Sequence, residues 1–448
     1  MTDRFDVIIL GGGNAGFGAS AVASEACKSI AFVEERDFGG TCPNRGCTPK
    51  KVLVAAAHAL HEIERASAHG IKVAKPHLDW SALIDRKNDM ISAIPDAMER
   101  AASKRGATFK GAARFVAPDA IEVNGRTIEG DNIVVATGSK PRPLAIPGAE
   151  HLITSDEVLS ERTLPAEVVF IGGGVIALEF AHVYARAGAK VTILEALPRL
   201  LPRMDVDAVD ALHGETERIG VIVRTGVQVS AIERVGEKLR IDFVHDGRAL
   251  SLEADRIVNG TGRIANVDQL DLSAGNVAHD GIRVEVDEFL RSTSNPRVWV
   301  CGDALVGPAQ LSPLATYEGR IVGGNIVDGA INKPNYTAIP SCVYAVPALA
   351  SVGLTEDEAC ESGLDVNVTT NDMTGWFSGR SYAETVAWSK VLVDRANDRI
   401  VGAHIVGHRS EELIHIFALA MKHGITAEAL KSTMFAFPTF SSDAKNLL

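Results

Sequence analysis

One hydrophobic-to-polar rhythm occurs twice along the chain. The run Phe5-Asp6-Val7-Ile8-Ile9-Leu10 is short and apolar, which predicts a buried strand; Gly11-Gly12-Gly13-Asn14-Ala15-Gly16 follows it. An Ala-rich stretch through about Ala26 predicts a helix, and a second strand over Ser29–Val33 ends at Glu34. The same order returns with the strand Val168–Ile171 and the turn Gly172-Gly173-Gly174-Val175-Ile176-Ala177. A helix to about Ala187 and a strand over Lys190–Leu194, ending at Glu195, complete it. Between the two repeats, Ser81–Arg105 reads as helix, with Pro95 expected to kink or break it.

Strand, glycine turn, helix, strand and terminal acid together predict a dinucleotide site in each repeat. Glycines let the backbone approach a pyrophosphate, the helix N-terminus attracts its charge, and the acid accepts hydrogen bonds from the ribose. At the tip of the second unit, Glu195 would bond a free 2′-hydroxyl and repel a 2′-phosphate, which favours NADH over NADPH. Arg199, four residues on, would soften that preference.

Directly behind the first unit stands Cys42-Pro43-Asn44-Arg45-Gly46-Cys47, followed by Thr48-Pro49-Lys50-Lys51 and an Ala-rich helical run. Cys47 is placed at or just before that helix's N-terminus, where unpaired N–H groups lower a thiol's pKa. Two buried structural cysteines are the plainer reading, but a loop-to-helix junction beside a lysine is where reactive thiols occur. Zinc fits poorly, because no second cysteine or histidine pair at ligand spacing follows. Cys27, Cys301, Cys342 and Cys360 are scattered and read as packing residues. Two dinucleotide sites and a dithiol suggest a relay from nicotinamide to flavin to disulfide.

A chain of 448 residues is too long for one core, so two or three domains are expected. With 46% hydrophobic residues and 41 glycines it reads as α/β, and a formal charge of −12 argues against nucleic acid and anionic membrane surfaces as partners. No apolar run reaches the ~18–20 residues needed to span a bilayer. Because the N-terminal residues read as a strand rather than a signal peptide, a soluble, cytoplasmic protein is expected.

These features, with several further motifs, resemble the pyridine nucleotide-disulfide oxidoreductases. Ile133-Val134-Val135-Ala136-Thr137-Gly138-Ser139 and Asp255 to Arg263, with Gly262, resemble the family's crossings between its two nucleotide domains. Val298 to Asp303, with Gly302, resembles its second flavin motif, and Leu311-Ser312-Pro313-Leu314-Ala315 the helix facing the isoalloxazine. Ser351–Ala359 and Ile400–Gly407 resemble parts of its dimerisation domain. The resemblance implies two Rossmann-like domains, for FAD (1–146 and 265–333) and NAD(P) (147–264), plus an α+β dimerisation domain over 334–448. It also implies a homodimer and a small disulfide substrate.

By that resemblance Cys42 is the interchange thiol, Cys47 stacks against the flavin, and Lys51 pairs with Glu179 near the hydride-accepting nitrogen. FAD would be held by Gly11, Gly13, Asn14, Ala15, Gly16, Glu34, Gly40, Thr41, Cys42, Lys51, Ala113, Ala136, Thr137, Gly138, Gly302, Asp303, Leu311, Ser312 and Ala315. Gly172, Gly174, Val175, Ile176, Glu195 and Gly262 would hold the nicotinamide cofactor, expected as NADH with NADPH possible.

One motif departs from the family. Its C-terminal His-Pro-Thr-x-x-Glu, where histidine protonates the leaving thiolate, reads here Phe437-Pro438-Thr439-Phe440-Ser441-Ser442. General acid catalysis is worth ~10²–10⁴ in rate. Three explanations stand open: a substrate whose leaving thiol needs little protonation, a carboxylase or C–S-cleaving reaction of the ketopropyl-coenzyme M type that exploits the missing donor, or an acceptor other than a disulfide. A mercuric reading lacks the C-terminal cysteine pair, and a diaphorase would make the dithiol secondary. Asp443 is one residue out of register with the missing glutamate, and His404, His408, His415 and His423 read as structural or solvated.

Overall fold

In the computed structural model, which describes residues 3–448, both strand–turn–helix repeats become parallel sheets. Contacts divide the chain into two units, each drawn from three segments. The first holds residues 3–50, 85–143 and 263–335. Its central strands lie side by side in the order Ala107–Lys110, Ile30–Glu34, Asp3–Leu10 and Arg126–Val135, all parallel, with Val298–Val300 parallel to the end of the last. Val7 and Ile9 pack with Ala15, Ala19 and Ala23 on one face, whereas Ile8 and Leu10 pack with Phe115, Val267 and Val277 on the other. A strand covered on both faces has to be apolar at every position, which accounts for the unbroken run in the sequence.

Helix Asn14–Glu25 and helix Ser312–Asp328 approach backbone to backbone. A Cβ on Gly323 would sit 2.6 Å from the Ala19 carbonyl oxygen, and one on Gly319 would strike that of Ala15. Helix Ser312–Asp328 is thereby seated against the glycine turn of the first repeat.

The second unit holds residues 51–84, 144–262 and 336–448. Its parallel sheet runs Ile222–Arg224, Lys190–Leu194, Glu167–Ile171, Arg256–Asn259. A three-stranded antiparallel sheet follows over 228–254. The C-terminal part is a five-stranded antiparallel sheet, with Ala348–Gly353 beside Arg399–Gly407 near its centre and helix Ser410–His423 packed on it. Within this unit Lys390, 1% exposed, meets three carboxylates: Asp205 at 3.1 Å, Asp207 at 2.5 Å and Glu356 at 2.7 Å.

The chain divides at 143/144, 262/263 and 335/336, against expected crossings at 146/147, 264/265 and 333/334. Residues 51–84 group with the second unit, a segment that the expected division assigned to the FAD domain. The helical stretch around Pro95 is two helices, Trp80–Ile91 and Ile94–Ser103. Pro95 falls in the first turn of the second, where a missing N–H costs no hydrogen bond.

Candidate active site

The dithiol segment is built by short-range contacts. Gly39 and Gly40, at φ 98° and 69°, turn the chain into the short helix Thr41–Arg45, and helix Cys47–Arg65 begins on the second thiol. Asn44 Nδ2 donates to the carbonyls of Phe38 and Gly40, both at 3.0 Å, and Arg45 pairs with Asp37 at 2.8 Å. The two cysteines are hydrogen-bonded to each other through their sulfurs.

The two sulfurs shift each other in opposite directions. Cys47 donates to Cys42, and the Cys42 thiol is brought down to about 6, by this bond first and then by the Ser312 hydroxyl and the Lys50 charge. The same bond pushes the Cys47 thiol up, with burial adding to it. Cys47 opens the helix, and the neighbouring Cys42 works against the lowering expected from the helix N-terminus.

Lys51 and Glu179 both meet Tyr344. The Lys51 ammonium lies 4.1 Å from the centroid of the half-buried Tyr344 ring, and Glu179 accepts from the Tyr344 N–H at 2.8 Å. The lysine whose charge acts on both thiols is Lys50. Lys50 and Lys51 stand three and four residues past Cys47, spacings that lie on one helix face.

Around the first glycine turn, Gly11 has φ 111° and a Cβ there would run into the Ala136 carbonyl. Gly13 caps helix Asn14–Glu25 without any side-chain cap bond, which leaves the N–H groups of its first turn, from Asn14 to Gly16, without a side-chain acceptor at the cap. Glu34, 9% exposed, accepts from Gly12 N–H at 2.7 Å and Arg36 N–H at 2.8 Å. Each carboxylate offers about four acceptor sites, so capacity for a ribose hydroxyl remains. Gly40 lies against Gly13, and Thr41 opens the helix bearing Cys42. Thr137 Oγ1 is buried without a hydrogen-bond partner among the described residues, next to Gly138 at φ 70° with open space where a Cβ would project. An orphaned hydroxyl beside an open, uncapped helix start fits a bound phosphate-linked cofactor.

Asp303, in the turn Gly302–Ala304, accepts from Ser139 Oγ at 3.0 Å, and Arg263 braces Ser139 from the other side at 2.9 Å. Burial raises the Asp303 carboxyl, with Ser139 and Arg263 opposing that rise. Gly302 packs between Ala15 and Ala315, while Leu311 and Ser312 start the helix that the first repeat supports. Ala113 opens the strand Ala113–Ala117, two residues beyond Gly111, whose N–H donates to the Glu34 carbonyl. The bracing of Asp303 by Ser139 and Arg263 was not foreseen, although both residues sit in the recognised crossings.

The second turn repeats the first closely. Gly172 has φ 100°, Gly174 caps helix Val175–Ala187 without a side-chain bond, and Val175 is exposed while Ile176 is half-buried. Glu195 accepts from the N–H groups of Gly173 and of Leu197, the latter at 2.7 Å. Arg199 is held in its loop, donating to the carbonyls of Met204 at 2.9 Å and Pro202 at 2.6 Å. Gly262, at φ 103°, has open space where a Cβ would stand.

In the C-terminal segment Phe437 is 81% exposed. Thr439 caps the turn Phe440–Asp443, and Ser442 fills the reciprocal capping position, its hydroxyl accepting from Thr439 N–H at 3.3 Å. The residue standing for the family's glutamate is thus spent on local structure. Asp443 is bonded to Ser378, and burial raises its carboxyl. His404 is buried between Ser351 Oγ at 3.1 Å and the Leu354 carbonyl at 3.0 Å, a structural role. His408 is not simply solvated: it stacks on Tyr382 and Phe440 and pairs with the fully buried Glu384 at 3.1 Å.

Residues 5–319 match the family described as pyridine nucleotide-disulphide oxidoreductase, and residues 339–448 match its dimerisation domain. The chain is 31% identical over 441 residues to a glutathione reductase of Burkholderia cepacia, covering 98% of this chain and 97% of that protein. It is also 31% identical over 454 residues to a dihydrolipoyl dehydrogenase of Chlorobaculum parvum, covering 99% and 96%. Among solved structures, a Cu(II) complex of the HOCl-induced flavoprotein disulfide reductase RclA from Escherichia coli superposes with a TM-score of 0.89 at 26% identity, covering 100% of this chain and 99% of that one. With both of the family's domains matched across nearly its whole length, the chain belongs to the pyridine nucleotide-disulphide oxidoreductases, flavoproteins that use FAD and NAD(P)H to act on sulfur.

Proposed function

We propose that the protein is an NADH-dependent reductase of a small disulfide, working as a cytoplasmic homodimer, with Cys42 as the thiol that meets the substrate. The observation that carries this reading is the placing of the dithiol, Cys42 on the short helix Thr41–Arg45 and Cys47 opening helix Cys47–Arg65, directly behind the first dinucleotide turn, with Gly40 against Gly13. FAD, when bound, supplies the two-electron link between the nicotinamide and the Cys42–Cys47 bond. The turns around Gly13 and Gly174, with Glu34 and Glu195, bind and orient the two dinucleotides.

The Cys42 thiolate attacks one sulfur of the substrate disulfide, forming a mixed disulfide and expelling the other half as a thiolate. Cys47 then attacks Cys42, closing the 42–47 bond and releasing the second half. One proton leaves with this exchange, the one that Cys47 held, and it can neutralise one of the two departing thiolates. The other departs charged or takes its proton from water, because Phe437 has none to give. Substrates whose thiols are acidic suit such a site, since leaving-group acidity governs exchange.

NADH is favoured because an acid ending this strand, Glu195, suits a free ribose 2′-hydroxyl, and the Arg199 guanidinium is occupied by carbonyls. The dimerisation domain supports a homodimer. No helix among the described residues is long and apolar enough to cross a membrane, which accords with a cytoplasmic enzyme. The test is turnover of NADH and NADPH against a panel of low-molecular-weight disulfides graded by thiol acidity, with Cys42→Ser as control. Aromatic disulfides with acidic thiols should be reduced fastest and Cys42→Ser should reduce none; undiminished disulfide turnover in Cys42→Ser would refute the reading.

A further inference from the structure

The dithiol turn is held in shape by contacts that do not involve sulfur. Cys42 and Cys47 are both free, yet the chain between them is already folded back on itself. Gly46 lies against the start of the turn: a Cβ there would stand 3.0 Å from the Thr41 carbonyl oxygen and 3.3 Å from Cys42 Cα. Inside the turn, Asn44 Nδ2 donates to the Phe38 carbonyl and to the Gly40 carbonyl, each at 3.0 Å, which uses both hydrogens of the amide. Its Oδ1 is buried with no hydrogen-bond partner among the described residues, so this side chain acts as a donor. Phe38 is fully buried, and Gly39 N–H donates to the Gly12 carbonyl at 2.7 Å. The two carbonyls that hold Asn44 therefore belong to a segment fixed on the first dinucleotide turn.

We propose that Asn44 is a positioning residue that preorganises this turn for closing the 42–47 bond and ties it to the turn that receives the flavin. Joining two thiols on a mobile segment costs the conformational freedom the segment had, and a segment already ordered has little left to lose. Asn44 orders the segment while the thiols are still apart, so it favours the closed form over the open one. The pair between Arg45 and Asp37, at 2.8 Å, bridges the same stretch, but the Asp37 side chain is 49% exposed and such a pair contributes little. Asn44 takes no part in bond making; it acts through the placing of the two cysteines. The inference rests on Cys42 and Cys47 being the redox pair.

The test equilibrates anaerobic holoenzyme with mixtures of reduced and oxidised dithiothreitol, quenches in acid and counts free thiols at Cys42 and Cys47 by mass mapping. Flavin absorbance follows FAD content. In this exchange the pair gives up two protons and two electrons, the 42–47 bond forms, and the reagent's own sulfur–sulfur bond opens to take them. Asn44→Ala, and Asn44→Leu, which is closer in size but has no hydrogen to donate, should each lower the equilibrium constant for closure about tenfold. That is a rise of about 30 mV in the potential of the pair. Asp37→Asn should change the constant by less than about threefold. Amide exchange over residues 38–47 should quicken about tenfold in the reduced Asn44 variants and return to wild-type rates once the bond has closed, since the bond then orders the turn. A residue that only supports the fold would lower FAD content and leave the equilibrium constant in place, which overturns the proposal. Equal acceleration of exchange in the reduced and oxidised protein overturns it as well, as does an effect of Asp37→Asn equal to that of Asn44→Ala. A wild-type protein that forms no 42–47 bond at any ratio of the reagent would bring down the reading of the dithiol itself; a bond that forms with the same constant in the variants brings down the role of Asn44 alone.

Discussion

At the scale of single residues, the account turns on which sulfur keeps a proton. Because the Cys42 thiol is brought down to about 6, mainly by the bond from Cys47, its thiolate persists above that pH and is lost as pH falls through about 6. Disulfide turnover should therefore decline on the acid side with a midpoint near 6. Lys50→Met should move that midpoint upward by up to about one unit while Lys51→Met leaves it in place, which a pH–rate profile of the two variants checks. Phe437→His should raise turnover of disulfides with weakly acidic thiols by up to about 10²-fold, and change that of aromatic disulfides little, since only the former need a proton. The two thiols, their spacing and the loss of the histidine were legible in the sequence. The action of the Lys50 charge on the thiols was not, because it depends on where a flexible side chain points, and neither was the direction of the Cys42–Cys47 bond, which depends on side-chain rotamers.

At the scale of elements, the two dinucleotide turns were legible nearly residue by residue. Their signals are local: glycine at positive φ in Gly11 and Gly172, an apolar strand before and an acid after. What lay beyond reach was how helix Asn14–Glu25 meets helix Ser312–Asp328, almost 300 positions away, through Gly319 and Gly323. A Cβ at either would strike the opposing backbone. Gly319→Leu should separate the two helices and abolish FAD retention, read as loss of flavin absorbance on purification; an FAD-replete Gly319→Leu protein would show that close approach is dispensable. The break before Pro95 illustrates a milder limit. Proline announced an interruption, but its place inside the first turn of the second helix, rather than at a kink, depends on the neighbouring chain.

At the scale of the whole molecule, the family resemblance spans nearly the full chain, yet no short motif betrays its buried charges. Lys390 comes from the strand Trp388–Asp394, Asp205 from the cap of helix Val206–Arg218 and Glu356 from the helix Glu356–Glu361, three elements far apart in sequence. The lysine's amine is raised by these carboxylates against the cost of burial, so it is charged throughout the neutral range. Lys390→Met would leave Asp205, 1% exposed, without its counter-charge, and should destabilise this unit by about 3–5 kcal/mol, seen as an earlier transition in thermal melts. The larger claim is that reducing equivalents from the nicotinamide reach the substrate through the sulfurs of Cys42 and Cys47. Its most direct measurement is to oxidise the protein, remove oxygen, add NADH and trap free thiols with iodoacetamide before mass mapping. Labels should appear at both Cys42 and Cys47 only when NADH has been added. Labelling that is equal with and without NADH, or that never reaches these two residues while the flavin bleaches, would contradict it.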